Sequence, residues 1–182
     1  MKVYVFLTDG FEEIEALTVV DLLRRANIDV ITVSLVGKSE VMGARKIPVL
    51  ADTLFDEVSY NKDDMLVLPG GSPGWMNLEK DEKLMKLVDE FAALGRKISA
   101  ICGAPSILGR RGILDGKVAT VYPGMDDELK GAKVTHDEVA KDGNIITSRG
   151  LGTAIPFSLA LIEEILDKDT AKKISDSVVY KL

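Results

Sequence analysis

The sequence predicts an α/β fold, with a doubly wound, mostly parallel sheet and helices on both faces. Three observations lead to this prediction. Short apolar runs recur along the chain, a turn signal follows each of them, and a helical pattern follows most of the turns. Apolar runs that alternate with helices are typical of βαβ units, in which the strands are covered on both faces. The 182 residues contain no repeat, low-complexity tract or linker, so we expect one domain over residues 1–182.

The expected elements follow in chain order. Strands are predicted at 3–7, 30–35, 65–68, 98–101 and 145–148. Helices are predicted at 12–26, at about 82–94, from about 104 onward, and at 153–166. The stretch 41–52 has no helical period and predicts an extended hairpin or excursion, while 118–121 and 133–139 predict further short strands. Glycine-rich turns stand at the carboxyl ends of several strands, where ligands bind in such sheets.

Composition and charge exclude several classes of protein. The net charge is −6 with no dense block of Lys or Arg, whereas binding nucleic acid through phosphate contacts needs a basic surface. No apolar run is long enough to span a bilayer or to form a signal-peptide core. The only cysteine cannot form an internal disulfide, which fits a reducing compartment. We therefore expect a cytoplasmic protein that binds neither nucleic acid nor membranes.

The most informative segment is 97–105, at the end of a predicted buried strand. There Cys102 is followed by Gly103 and Ala104, and Pro105 stands where a helix could begin. Small residues permit a tight turn that pushes a nucleophile outward, and Pro is tolerated in a first helical turn. A helix N-terminus behind the sulfur favours thiolate over thiol, so we expect a lowered pKa for Cys102. The alternative is a buried structural cysteine, the commoner fate of an isolated cysteine; the Gly and Pro context favours a reactive one.

A cysteine nucleophile is usually paired with a histidine base, and His136 is the only histidine. It stands in the polar stretch 133–138, which favours an exposed strand or loop residue. A Cys–His hydrolase is therefore an alternative only if His136 lies within hydrogen-bond reach of Cys102. One cysteine and one histidine also make a structural zinc site unexpected, and we predict neither a metal nor another cofactor.

Three carboxylates, those of Glu12, Glu13 and Glu15, open the first predicted helix. Acidic residues in a first turn complement the helix dipole, which accounts for Glu12 and Glu13. Glu15, however, shares a helical face with apolar residues such as Phe11 and Val19. A carboxyl on an apolar stripe should be partly buried, with a raised pKa, and could act as an acid or base near neutral pH. The alternative, which the pattern taken alone favours, is a glutamate at the edge of the surface.

The glycine turn Leu68-Pro69-Gly70-Gly71 follows a predicted strand, and its backbone N–H groups could stabilise a developing oxyanion. A phosphate cradle is the competing function, but the Lys-Ser/Thr of a P-loop is absent. The second turn, 150–152, lacks the third glycine and the downstream acid of a dinucleotide-binding motif. Either turn taken alone is also typical of ordinary turn chemistry.

Together these segments resemble the ThiJ/PfpI superfamily, and within it the branch of the Parkinson-disease protein. The resemblance runs almost from end to end and is carried by 9–15 (DGFEEIE), 68–71 (LPGG), 100–105 (AICGAP) and 147–153 (TSRGLGT). It implies a flavodoxin-like fold of the class I glutamine amidotransferase type. It also implies a homodimer formed partly through the first helix, and the apolar residues around that helix agree with cover by a second copy.

The resemblance assigns roles to individual residues. It implies that Cys102 is the elbow cysteine, easily oxidised to the sulfinate, and that a protonated Glu15 is hydrogen-bonded to its sulfur. It implies that the backbone N–H groups of Gly71 and Gly103 form the oxyanion pocket, with Gly70 beside them.

Further pocket residues follow from the same resemblance, some of them as departures from the family pattern. Arg25 and Arg45 match arginines on the dimer side of the pocket. Tyr122 stands where the protein that names the branch has a histidine, so proton transfer would rest mainly on Glu15. Leu151 replaces a common proline, which implies a differently shaped pocket rim. Protease-like relatives carry His after the cysteine, where this chain has Gly103, so we expect no peptidase activity.

The resemblance implies a cofactor-independent cysteine enzyme that acts on reactive dicarbonyls such as methylglyoxal, or on early glycation adducts. Cys102 would add to the aldehyde, and Glu15 would move a proton between the adjacent carbons. The alternative is a redox sensor or stress chaperone that uses oxidation of Cys102. The expected partners are therefore a small aldehyde or glycated adduct and a second copy of the chain.

Overall fold

The computed structural model describes residues 1–180. The strands are β1 (Val3–Leu7), β2 (Val30–Ser34), β3 (Glu40–Met42), β4 (Pro48–Leu50), β5 (Thr53–Leu54), β6 (Met65–Leu68), β7 (Lys97–Ile101), β8 (Val118–Ala119), β9 (Lys133–Val134), β10 (Val139–Asp142) and β11 (Ile145–Ser148). The α-helices are α1 (Glu13–Arg25), α2 (Gly74–Lys80), α3 (Glu82–Ala93), α4 (Pro105–Arg110), α5 (Ala154–Ile165) and α6 (Lys168–Ser177). None of these described helices is long and apolar enough to cross a membrane.

The main sheet of the described chain has the strand order β10-β11-β7-β6-β1-β2-β5. Neighbouring strands run parallel except β10, which pairs antiparallel with β11 at the edge. The strands β2-β1-β6-β7-β11 follow the flavodoxin-like order, with the reversal of strand order between β1 and β6. The predicted mostly parallel, doubly wound α/β fold is confirmed.

Strand β1 shows why the sheet is covered on both faces. Val3, Val5 and Leu7 belong to one core cluster, and Tyr4 and Phe6 belong to the other, because successive side chains of a strand point to opposite faces. Residues of α1, α5 and α6 complete the first cluster, while residues of α2, α3 and α4 complete the second. The strand therefore reads as a continuous apolar run with no polar alternation.

The stretch between β2 and β5 leaves the main sheet, as predicted. Strands β3 and β4 form a separate antiparallel hairpin in which Glu40 pairs with Leu50 and Met42 with Pro48. This hairpin packs on the segment that leads into α1, where the Gly10 N–H donates a hydrogen bond of 2.8 Å to the Met42 carbonyl. The excursion thereby lies beside the N-terminus of the first helix.

Some elements differ from the prediction for local physical reasons. The stretch 133–139 is not one strand: β9 pairs with β8 in a small sheet, and β10 pairs with β11 in the main sheet. Helices α2 and α6 were not predicted. In α2 only Gly74 and Leu78 are buried, so this short helix presents no readable apolar period. Helix α6 is mostly polar, and only Ala171 of it is buried.

Candidate active site

Cys102 directly follows β7, and its backbone has φ 67°, in the left-handed region that residues other than glycine rarely adopt. Such a conformation costs about 1–2 kcal/mol in a non-glycine residue. Two hydrogen bonds hold it: the Cys102 N–H donates to the Ser148 carbonyl over 3.0 Å, and the Tyr122 N–H donates to the Cys102 carbonyl over 2.9 Å. Pro105 is the first residue of α4. The predicted strained elbow is therefore present, and it turns the half-buried thiol out of the sheet.

Glu15 lies in the first turn of α1 and is only 1% exposed. One carboxyl oxygen, Oε2, accepts a hydrogen bond of 2.9 Å from the Gly70 N–H, and the carboxyl is hydrogen-bonded to the Cys102 thiol. The alternative of a surface-edge glutamate is thus wrong. Burial raises the pKa of Glu15 to about 7, against the opposing effect of the hydrogen bonds from Cys102 and Gly70, as its apolar helical face predicted.

The pKa of Cys102 corrects a prediction. Burial raises the pKa of the thiol to about 12, and the negative charge of an ionised Glu15 adds to the rise. The N–H groups of Gly71 and Gly103 act in the opposite direction as donors to the sulfur, but they do not outweigh burial. The expected lowering by a helix N-terminus is not seen, because α4 is a single short helix of six residues behind a largely desolvated sulfur. The site thus holds a thiol beside a carboxyl that can take its proton.

Glycines allow the elements of the site to approach closely. A Cβ on Gly70 would lie 2.5 Å from the Cys102 Cβ and 2.6 Å from Glu15 Oε2. A Cβ on Gly71, which has φ +93°, would lie 2.3 Å from the Glu12 backbone nitrogen. The turn that follows β6 therefore packs directly against both the cysteine and the segment that leads into α1, which explains its two adjacent glycines.

The thiol opens into a cavity of about 450 Å³. Most of the predicted site residues line it, namely Glu15, Arg45, Gly71, Cys102, Gly103, Tyr122 and Leu151. Gly70 does not line it but lies buried beneath, between the cysteine and the glutamate. Sequence reasoning missed Glu12, Ser72, Trp75 and Met125, which also line the cavity. Trp75 lies on the unpredicted helix α2, so only recognition of that helix could have pointed to it.

The two carboxylates attributed to the helix dipole are buried instead. Glu12 is 7% and Glu13 2% exposed. Glu13 Oε1 accepts a hydrogen bond of 2.7 Å from the Arg45 N–H, so it ties the β3–β4 hairpin to α1. The hairpin in turn brings Arg45 to the cavity. Glu13 thus has a structural role, which its interpretation as a residue that complements the helix dipole did not predict.

Arg25 and His136 lie away from the cavity. Arg25 is at the last turn of α1, exposed and paired with Asp21 over 2.7 Å. Its predicted place at the pocket depends on a second copy of the chain and stays a prediction. The His136 side chain is 71% exposed, with Nδ1 3.8 Å from Asp126 Oδ1, and it does not line the cavity. The structure therefore offers no support for a Cys–His hydrolase, and His136 is the exposed loop residue that its polar surroundings predicted.

The arrangement combines a nucleophile, a proton acceptor and two N–H donors. Within residues 1–180, no group of three or more His, Cys, Asp or Glu side chains is placed to hold a metal ion. The Glu15 carboxylate can accept the thiol proton, and the N–H groups of Gly71 and Gly103 converge on the reacting sulfur, where an oxyanion would form. Such a site suits addition of sulfur to a carbonyl carbon.

Comparison with known proteins decides the family. A model of the DJ-1/PfpI family matches residues 1–164. The chain belongs to this family. The structure of oxidized DJ-1 from Toxoplasma gondii superposes on this DJ-1/PfpI chain with a TM-score of 0.93 at 33% identity, covering 100% of this chain and 99% of that one.

Curated relatives extend the comparison of this DJ-1/PfpI chain. Protein DJ-1 homolog B of Arabidopsis thaliana is 35% identical over 179 residues, which make up 98% of this chain and 41% of that protein. The chain therefore spans less than half the length of that relative. A protein named a deglycase in Pyrococcus abyssi (strain GE5 / Orsay) is 32% identical over 152 residues, or 82% of this chain and 90% of that protein.

Proposed function

We propose that the protein is a cofactor-independent cysteine enzyme that converts reactive dicarbonyls, such as methylglyoxal, to hydroxy acids. The observation that carries the proposal is the buried, hydrogen-bonded pair of Glu15 and Cys102, with two N–H donors on the sulfur. A redox-inert structural cysteine needs neither a strained elbow nor a carboxyl of pKa about 7 beside it.

The first steps join the substrate to the enzyme. The Glu15 carboxylate accepts the thiol proton while the Cys102 sulfur bonds to the aldehyde carbon, and the resulting alkoxide lies against the Gly71 and Gly103 N–H groups. Glu15 then returns the proton to this oxygen, which gives a neutral hemithioacetal. The carboxylate is thereby regenerated for the next step.

The later steps move hydrogen between two adjacent carbons. Glu15 removes the proton from the former aldehyde carbon to give an enediolate and delivers it to the neighbouring carbon, while the hydroxyl proton of the hemithioacetal passes to the former ketone oxygen. The aldehyde carbon is oxidised and the ketone carbon is reduced, so the product is a thioester and no external oxidant is needed. Water then cleaves the thioester and releases the hydroxy acid and the thiol. From methylglyoxal the product is lactate.

The same site could act on early glycation adducts, in which the aldehyde carbon of a dicarbonyl carries a hydroxyl and the amine or thiol that it modified. Glu15 would donate a proton to the departing amine or thiol, which frees the aldehyde for addition of the Cys102 sulfur, and the later steps would be unchanged. The relative from Pyrococcus abyssi carries the name of a deglycase, which favours this extension. Since the pocket mouth carries Leu151, which is 52% exposed, and Tyr122, which is 50% exposed, both free aldehydes and small adducts could approach the sulfur. We place this chemistry in the cytoplasm, where a reactive thiol stays reduced.

The test is lactate formation from methylglyoxal by the purified protein, with Cys102→Ser and Glu15→Gln as comparison variants. The buffer contains no added thiol, because small thiols react with the aldehyde themselves. We expect turnover by the wild-type protein, none above background with Cys102→Ser, and a loss of at least about 100-fold with Glu15→Gln. Lactate formation equal to that of Cys102→Ser would refute the enzyme proposal for methylglyoxal.

The alternative function is a redox sensor or stress chaperone, which the half-buried, accessible Cys102 sulfur favours. The related Toxoplasma gondii structure is of an oxidized protein. Intact mass shows how readily Cys102 gains two oxygen atoms when the protein is treated with peroxide. If Glu15→Gln changes this oxidation while lactate formation is the same in all variants, the protein is better described as a redox sensor. An enzyme loses turnover with the same substitution.

We also propose that the protein is a homodimer through α1 and the β3–β4 hairpin. This face exposes large apolar side chains, namely Ile14, Met42, Ile47 and Leu50. The hairpin is joined to α1 by the hydrogen bond from the Arg45 backbone N–H to the Glu13 carboxyl, so the two elements that carry these side chains are neighbours. A second copy would cover them, and Arg25 is predicted to reach the pocket region in that dimer.

A further inference from the structure

Trp75 is part of the cavity wall beside Cys102, and none of the proposed steps uses it. It is the only tryptophan in the chain. A Cβ on Gly103 would lie 2.7 Å from both Cδ1 and Nε1 of the Trp75 ring. The ring therefore packs directly on the backbone of the residue that follows the cysteine, in a space that a side chain at position 103 would fill.

The Trp75 ring is held in place by Arg110. The guanidinium carbon lies over the ring, 5.2 Å from its centroid. The guanidinium also donates to Glu79 over 2.7 Å and to Glu128 over 2.8 Å. Because two carboxylates fix the guanidinium and the guanidinium stacks on the indole, the aromatic wall is preorganised before any substrate arrives.

Three further large side chains of the cavity wall are apolar or aromatic, beside the charged Glu12, Glu15 and Arg45. Met125, Tyr122 and Leu151 line the cavity together with Trp75. A cavity of about 450 Å³ is in the size range of sites for whole small molecules. The methyl group of methylglyoxal would contact only a small part of this wall, whereas an aromatic ring could stack on the indole.

We infer that the site is built for 2-oxoaldehydes with an aromatic or bulky apolar substituent on the ketone carbon, and that Trp75 is the residue that determines this specificity. The inference rests on the proposed function. The aldehyde carbon lies at the Cys102 sulfur, and the substituent lies against Trp75 and Met125. Phenylglyoxal is the simplest probe: with one water it gives mandelate, by the same internal oxidation and reduction that gives lactate from methylglyoxal.

The test compares kcat/KM for phenylglyoxal and methylglyoxal, from the release of mandelate and lactate. Initial rates are used because phenylglyoxal also modifies arginine side chains. We expect the wild-type protein to prefer phenylglyoxal by about 10-fold or more, and Trp75→Ala to lower this ratio by about 10-fold. Trp75→Phe keeps an aromatic wall and should keep most of the preference. Met76→Ala, on the same helix but outside the cavity, is the matched control.

A binding measurement keeps the inference separate from the proposed reaction. In Cys102→Ser, Trp75 fluorescence is titrated with mandelate and with lactate, and we expect mandelate to bind about 10-fold more tightly. If neither aldehyde is turned over but mandelate still binds more tightly than lactate, the proposed reaction is refuted and the proposed binding role of Trp75 is supported. Equal binding of the two acids, or a substrate ratio unchanged by Trp75→Ala, would overturn the inference.

Discussion

The Glu15 carboxyl and the Cys102 thiol form one hydrogen-bonded pair at the bottom of the cavity, and burial raises the pKa of both. With values of about 7 and about 12, the pair carries a single negative charge over the whole range between them. That charge lies on the carboxyl in the resting protein; in the proposed reaction it would pass to the sulfur and then to the substrate oxygen. The site is therefore a thiol with a base at hand and not a preformed thiolate.

The rate should depend on pH through Glu15. Below about pH 7 the carboxyl is protonated and cannot accept the thiol proton, so kcat/KM should fall as the pH is lowered through that value. A pH profile of lactate formation checks this. Glu15→Gln should be slow at every pH and should lack the inflection near pH 7, and a wild-type profile that is flat from pH 5 to 8 would contradict the assigned base.

Stability should depend on the same group, with the opposite sense. The pKa of Glu15 is about 7 in the folded chain against 4.5 ordinarily, so the folded chain binds the proton more tightly and loses stability as the pH rises from about 4.5 to about 7. The whole shift corresponds to on the order of 3 kcal/mol. Glu15→Gln keeps an acceptor for the Gly70 N–H without a charge.

Glu15→Gln should therefore be more stable than the wild-type protein at pH 8 and close to it at pH 4.5. Urea unfolding of both proteins at the two pH values measures the difference, and comparing the proteins at one pH cancels the titration of all other groups. A stability difference between the two proteins that does not change with pH would show that Glu15 titrates normally in the folded chain.

Gly70→Ala should disrupt the pair of Glu15 and Cys102 although neither of these two residues is substituted. Its Cβ would lie 2.5 Å from the Cys102 Cβ, so the cysteine and the glutamate must move apart. We expect a destabilisation of about 1–3 kcal/mol and a loss of activity of about 100-fold. Gly152→Ala is the matched control, since its Cβ would meet nothing within 4 Å. Equal activity of the two variants would mean that the close contact at Gly70 is unimportant.

Gly103 and Trp75 should be energetically coupled. Gly103→Ala places a methyl group 2.7 Å from the indole and should cost about 1–3 kcal/mol, whereas in a Trp75→Ala background the space is open and the cost should largely vanish. A double-mutant cycle on urea unfolding measures the coupling, which we expect at about 0.5–3 kcal/mol. Additive effects would argue that the indole moves freely and is not a fixed wall.

Leu50→Glu should convert the proposed dimer to a monomer. Leu50 is 72% exposed at the end of β4, and a charge there cannot be covered by a second copy without a large desolvation cost. Light scattering coupled to size exclusion reads the mass directly. Leu94→Glu, at the end of α3 and 63% exposed, is the control and should leave the mass unchanged. A monomeric wild-type protein would refute the dimer.

The strand at Met65–Leu68 and the elbow at Cys102 were predictable because their signals are local. An apolar run bounded by Pro-Gly-Gly, or a run that ends on Cys-Gly-Ala-Pro, is determined by neighbours in the chain. The helical face of Glu15 was equally readable, and it predicted the raised pKa. The short helix α2 could not be predicted in this way, because a single buried leucine does not produce a recognisable apolar period.

The fold class, the elbow and the place of Glu15 on an apolar helical face could thus be predicted from the order of residues along the chain. Three features became visible only in the folded molecule: burial outweighs the helix N-terminus at the Cys102 thiol, Glu13 anchors the hairpin, and Trp75 packs on Gly103. These contacts join different βα units. Their distances depend on the strand order and on how closely each turn packs on the next, and no spacing along the chain encodes them.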